Sequence, residues 1–192
     1  MKKVLFLFSA IVLLSFTLEP LTNVEGWVLA GSEPESYEIG VENDADRNGK
    51  VGFIKSTNPK TKGFGTIMQG FIPEKYLDKR VKLTAYIKTK DVKDWTGLWM
   101  RVDGAPEKDG KNRKTLAFDN MNDRKITGNT SWEKYEIVLD VDKEAVNLAY
   151  GVLLAGTGSV WLDDITFEIV EKSQTTTTVK KITAPQNTSF ED

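Results

Sequence analysis

The sequence predicts an all-β sandwich, and three observations carry that prediction. From Trp27 onward no apolar run keeps a helical period for more than two turns. The stretches Arg80–Lys90 and Trp132–Val141 alternate apolar and polar residues with the two-residue period of a half-buried strand. Clusters of turn-forming residues, Asp46-Arg47-Asn48-Gly49-Lys50 and Gly156-Thr157-Gly158, separate the runs. At 192 residues the chain has room for one such domain with tails.

Taken in order, the chain begins with Lys2 and Lys3 ahead of an apolar stretch, Val4 to Phe16, interrupted by Ser9 and Ser15. That stretch is too short to span a bilayer and the right length for the core of a secretory signal. Residues 1–26 are therefore expected to be a signal peptide, with cleavage fitting either Ser15-Phe16-Thr17 or Val24-Glu25-Gly26. An uncleaved N-terminal anchor is the alternative. The expected location is secreted, with no transmembrane span in the mature chain, and the absence of cysteine removes any lipid-attachment site.

The expected strands are Ser36–Glu42, Val51–Thr57, Phe64–Ile72, Arg80–Lys90, Gly97–Asp103, Thr115–Met121, Trp132–Val141, Asn147–Ala155 and Ser159–Val170. In the fourth, Val81, Leu83, Ala85 and Ile87 face in while Lys82, Thr84, Tyr86 and Lys88 face out. Tyr135, Ile137, Leu139 and Val141 repeat the inward pattern. Asn147 to Leu154 is apolar on both faces, as a central strand would be. Pro73 to Asp78 reads as one helical turn, and Gly104 to Lys114 as an exposed loop. The sandwich thus occupies residues 27–170. A Thr-rich linker, residues 171–185, and a terminal segment, residues 186–192, follow it.

Composition narrows the function. The 28 acidic and 26 basic residues leave a net charge of −2, without the basic surplus of a nucleic-acid binder. With neither histidine nor cysteine, imidazole bases, thiolate nucleophiles and Cys/His zinc sites are excluded. No Gly-x-Ser-x-Gly elbow, phosphate loop or metalloprotease helix is present, so a non-enzyme is expected. With so many carboxylates, chance pairs carry no evidence of glycoside hydrolysis.

The stretch Trp95-Thr96-Gly97-Leu98-Trp99-Met100-Arg101-Val102-Asp103-Gly104 stands out. One face carries Leu98, Met100 and Val102 for the core. The other carries Trp95, Trp99, Arg101 and Asp103, with Gly97 leaving a gap between the indoles. Sugar C–H faces stack on indole while hydroxyls bond to guanidinium or carboxylate groups, so these four residues are candidate ligand contacts. Asp119, Asn120 and Arg124 join them if Thr115–Met121 lies alongside. The competing reading buries the tryptophans, with Arg101 paired to Asp103 or Asp119. Trp27, Trp132 and Trp161 are assigned to the core.

The blocks Arg80–Thr89, Gly97–Gly104, Leu116-Ala117-Phe118-Asp119-Asn120-Met121, Thr130–Glu136 and Val160-Trp161-Leu162-Asp163-Asp164-Ile165, taken in order, resemble a secreted family of galactose-binding-like jelly-roll modules. The resemblance implies a jelly-roll β-sandwich of the carbohydrate-binding-module kind, with polysaccharide or cell-wall glycan as partner. Some relatives carry an AraC-type transcriptional-regulator label, yet this chain has no helix-turn-helix pattern. The resemblance also implies a structural calcium held by Asp163 or Asp164, Glu191 and the Asn48-Gly49-Lys50 turn, with Asp44 and Asp46 assisting. Hard oxygen ligands suit Ca²⁺, but two solvated aspartates ending a strand would read the same way. Finally, Asn187-Thr188-Ser189-Phe190-Glu191 is similar to a segment that opens such modules. It is expected to return as a strand, because fifteen linker residues reach about 50 Å; a truncated start of another module is the alternative. The sequence thus points to a secreted sugar-binding module or, in the competing class, to an extracellular structural or protein-interaction module.

Overall fold

The computed structural model describes residues 24–107 and 113–178. Residues 1–23 of the expected signal peptide (1–26), the second half of the Thr-rich stretch and the expected returning strand at 186–192 lie outside them. Nine strands make up the described fold: β1 (Val28–Gly31), β2 (Tyr37–Asp44), β3 (Gly49–Ser56), β4 (Phe64–Phe71), β5 (Lys79–Pro106), β6 (Arg113–Asp119), β7 (Ile126–Val141), β8 (Asn147–Ala155) and β9 (Ser159–Val170). Two three-residue 3₁₀ turns, Pro34–Ser36 and Glu74–Tyr76, are the helical elements among the described residues.

Every pairing is antiparallel, and β5 organises them. Its first half, Lys79 to Lys90, lies between β7 and β9. Its second half, Trp95 to Pro106, lies between β8 and β6. A front sheet therefore runs β1-β4-β8-β5-β6 and a back sheet β2-β3-β9-β5-β7, joined through one 28-residue strand. This is a jelly-roll sandwich.

The sequence expectation divided β5 in two, and the physical reason is a change of parity. Val81, Leu83, Ala85 and Ile87 point into the core from odd positions; Leu98, Met100 and Val102 point in from even ones, and all are fully buried. Switching parity requires an irregularity. The register with β7 shifts between Thr89 and Val92 and again before Thr96, with Asp91 in the left-handed region at φ 55°. The core lies between the sheets, where these residues meet Ile54, Ile67, Ile137, Leu139, Leu148, Val152 and Leu154. At one end Phe71, Tyr76, Tyr150 and Phe167 stack largely edge to face, and Trp27 adds its ring to Tyr150 at 5.5 Å.

Beyond β9 the described chain lies along β7. Arg80 donates to the carbonyl oxygens of Lys172 and Gln174, and the Thr177 N–H donates to the Val138 carbonyl at 2.9 Å.

Candidate functional site

Strand register builds a cleft on the outer face of the front sheet. Phe64 on β4 faces Ala155 on β8, which faces Trp95 on β5. One step along, Ala30, Thr66, Leu153 and Gly97 form a row across β1, β4, β8 and β5. The next row is Met68, Gly151 and Trp99, and the last is Ala149, Arg101 and Phe118. With strands about 4.8 Å apart, the span from β4 to β6 is about 14 Å. Small residues on β8 leave a depression between aromatic walls, Phe64 on one side and Phe118 on the other, both partly exposed. The cleft encloses about 550 Å³ and is lined by Phe64, Trp95, Trp99, Arg101, Phe118 and Asn120, among others. That size is within the range of small-ligand sites.

The two indoles differ. Trp99 is 6% exposed and, with Ala149 and Leu153, forms a small apolar cluster separate from the main core. Gly151 opposite it has no side chain, so the indole reaches over β8 and its Nε1–H donates to Thr66 Oγ1 at 2.8 Å. Trp99 is thus the floor of the cleft. Trp95 remains half-buried, with the Lys125 ammonium 5.1 Å from its ring centre. The gap expected at Gly97 is filled from the side: a β-carbon there would come within 2.8 Å of the Asn120 carbonyl oxygen, so glycine lets the Asn120–Met121 turn close in on β5.

The other candidates separate into cleft and support. Arg101 and Asn120 line the cleft. Asp103, Asp119 and Arg124 do not. Asp103 is almost wholly buried and accepts from Arg101 Nε at 2.7 Å and from Asn147 Nδ2 at 3.0 Å. It fixes the guanidinium from below. Asp119 accepts from Arg124 Nη2 at 2.6 Å and from the Met121 N–H at 2.8 Å, which holds the turn after β6. The sequence reading missed Phe64, Phe118, Lys62 and Lys125. The only available signal was parity, because Phe64 shares a face with Thr66 and Met68, away from the core residue Ile67.

The residues expected around calcium sit at the other sheet. Asp163 accepts from Arg47 Nε at 2.8 Å and Asp164 pairs with the same guanidinium, while Lys50 is exposed opposite Asn43 on β2. Glu191 lies outside the described residues. Among the described residues no three acidic groups gather as metal ligands would.

Trp132 and Trp161, assigned to the core from their size, lie instead on the outer face of the back sheet. Trp161 alternates with the buried Leu162, and Trp132 has the opposite parity to the buried Ile137 and Leu139 of its strand, so parity overrode hydrophobicity. Lys88 stands over both rings at 5.2 and 5.1 Å, and Arg47 over Tyr86 at 4.4 Å. Their indole N–H groups donate to Asp44 and Glu42. Burial pushes the Asp44 carboxyl up, but bonds from Lys88, Trp132 and the Asp46 N–H outweigh it and hold it below the usual carboxylate range.

Comparison with known proteins agrees with this architecture. No protein-family model matches the sequence. A Bacillus subtilis (strain 168) protein named uncharacterized HTH-type transcriptional regulator YbfP is 42% identical over 175 residues, covering 88% of this chain; the chain spans 57% of that protein. Among solved structures, the CBM22-1 xylan-binding domain of Paenibacillus barcinonensis Xyn10C superposes with a TM-score of 0.52 at 14% identity, covering 80% of this chain and 90% of its own. The enzymatically active domain of bacteriophage CBA120 tailspike protein 4 superposes with a TM-score of 0.57 at 12% identity, covering 78% of this chain and 20% of its own. At these identities the likeness is one of fold. The fold is the β-sandwich jelly roll of the carbohydrate-binding modules.

Proposed function

We propose that this chain is a non-catalytic module that binds a glycan in the cleft of the front sheet. The observation that carries the reading is the walled depression itself, with Trp99 as its floor, a half-exposed Trp95 and a braced Arg101. A pyranose ring needs an aromatic plane for its C–H face and fixed polar groups for its hydroxyls, and these residues offer both within one cleft. Xylan binding by a solved module of the same fold supports the reading. The Lys2-Lys3 leader is in keeping with a module that works outside the cell.

The test is affinity electrophoresis and tryptophan fluorescence of the mature protein against a polysaccharide panel. Saturable binding that disappears in a folded Trp95→Ala variant is expected. Absence of binding across the panel overturns the reading. The burial of Trp99 favours a second one, a protein-interaction module whose outer aromatics are structural. Capture of a protein by the same cleft, blocked by Trp95→Ala, would establish it.

A further inference from the structure

From the charges around the cleft we infer that its ligand is an acidic glycan, one bearing carboxylates on its sugar rings. This rests on the sugar-binding reading. The protein as a whole is slightly acidic, with a net charge of −2, yet the cleft is not. Among the described residues lining it there is no Asp or Glu, while Lys62 and Arg101 are both present. Lys125 adds a third cation over Trp95. Glu33, beside the Lys62 end, is turned to the Thr61 hydroxyl at 2.7 Å. Asp103 compensates Arg101 from beneath, its side chain 2% exposed against 42% for the arginine. Among the described residues neither Lys62 nor Lys125 forms an ion pair with a carboxylate. The cleft therefore presents a surplus of positive charge to its occupant.

The placement of the cations narrows the chemistry. Lys62 precedes Phe64 and Lys125 covers Trp95, and these two rings stand on one row of the sheet. Arg101 is six residues further along β5, about 20 Å away. A single terminal acid reaches one end only; a polymer with a charge on recurring rings reaches both. Lys125 decides between neutral and acidic rings. A sugar stacking on Trp95 must displace its ammonium, giving up a cation–π contact. A carboxylate on the incoming ring receives that ammonium, and a neutral ring offers nothing equivalent.

The experiment uses the mature protein and a matched pair of polymers, polygalacturonate and its fully methyl-esterified form, titrated by tryptophan fluorescence at low and high salt. Binding to the acid form is expected, weaker by at least about tenfold for the ester. Lys62→Gln and Lys125→Gln are each expected to weaken it about fivefold. Equal binding of acid and ester, or a preference for neutral glycans elsewhere in the panel, overturns the acidic-ligand inference and leaves sugar binding standing. Dextran sulfate bound as tightly as polygalacturonate, with Trp95→Ala without effect on either, also overturns it, since the contact would then be ion exchange. No glycan bound at all overturns the sugar-binding reading itself.

Discussion

Replacing Trp99 by alanine tests whether the cleft floor is a packed structure or a loose surface. Trp→Ala changes in packed surroundings cost about 3–5 kcal/mol. Here the indole lies against Ala149, Leu153, Met68, Trp95 and Ala155, and it donates a hydrogen bond worth about 1 kcal/mol to Thr66. The cleft opens to solvent, so water fills the vacated space and the cost falls at the low end, about 3 kcal/mol. Trp95 is already half-exposed, and Trp95→Ala should cost about 1 kcal/mol. Trp99→Phe keeps most of the packing, and Thr66 retains its own bond to the Val152 carbonyl at 3.0 Å, so about 1 kcal/mol is expected there too. In urea, with a slope of about 1.5 kcal/mol per molar, Trp99→Ala should lower the midpoint by about 2 M and the other two by less than about 1 M. If Trp99→Ala and Trp95→Ala shift the midpoint equally, the outer cluster is not a packed one, and the assignment of Trp99 as the floor fails. The same numbers make Trp95 the residue to change in binding experiments.

Three further outcomes follow from named contacts. Asp119→Ala leaves Arg124 without its buried carboxylate and frees the Met121 N–H; discounted because the arginine side chain is one-third exposed, the loss is about 2–3 kcal/mol by chemical denaturation. Asp140, through its bonds from Arg80, and Asp44, where bonds from Lys88 and Trp132 outweigh burial, both have carboxyls held below their ordinary values. Their contribution is present above the unfolded carboxylate range and is lost as pH falls through the lower folded values, so thermal stability should hold from pH 8 to 5 and fall below about pH 4, less steeply in Asp44→Asn. Gly97→Ala places a methyl within 2.8 Å of the Asn120 carbonyl, so the turn should retreat; the measurable sign is increased amide exchange at Asn120–Asn122 with little change across β8.

Much of the fold was legible because alternation is a direct record of burial. Asn147–Ala155 and Ser159–Val170 were bounded by turn residues and came out with those limits. The four-residue β1 was too short to show a period, and β7 starts at Ile126 because its first residues pair across bulges, where alternation is lost. The cleft was legible only along β5: the sequence places Trp95, Trp99 and Arg101 on one face. It is silent on which strands neighbour that face, so the walls Phe64 and Phe118, distant in sequence, appear only with the register. Trp132 and Trp161 show the opposite error, since their own strands carried the parity that puts them outside.

Because one strand serves as an inner member of both sheets, neither sheet has a boundary along which it can come away from the other. Tension applied across the front sheet is carried down the β5 backbone and shared with β9 and β7 behind. The sandwich should therefore yield in a single force step, and its slowest-exchanging amides should run along β5 from Val81 to Thr89 and again from Thr96 to Val102, on either side of the irregular, exposed crossing.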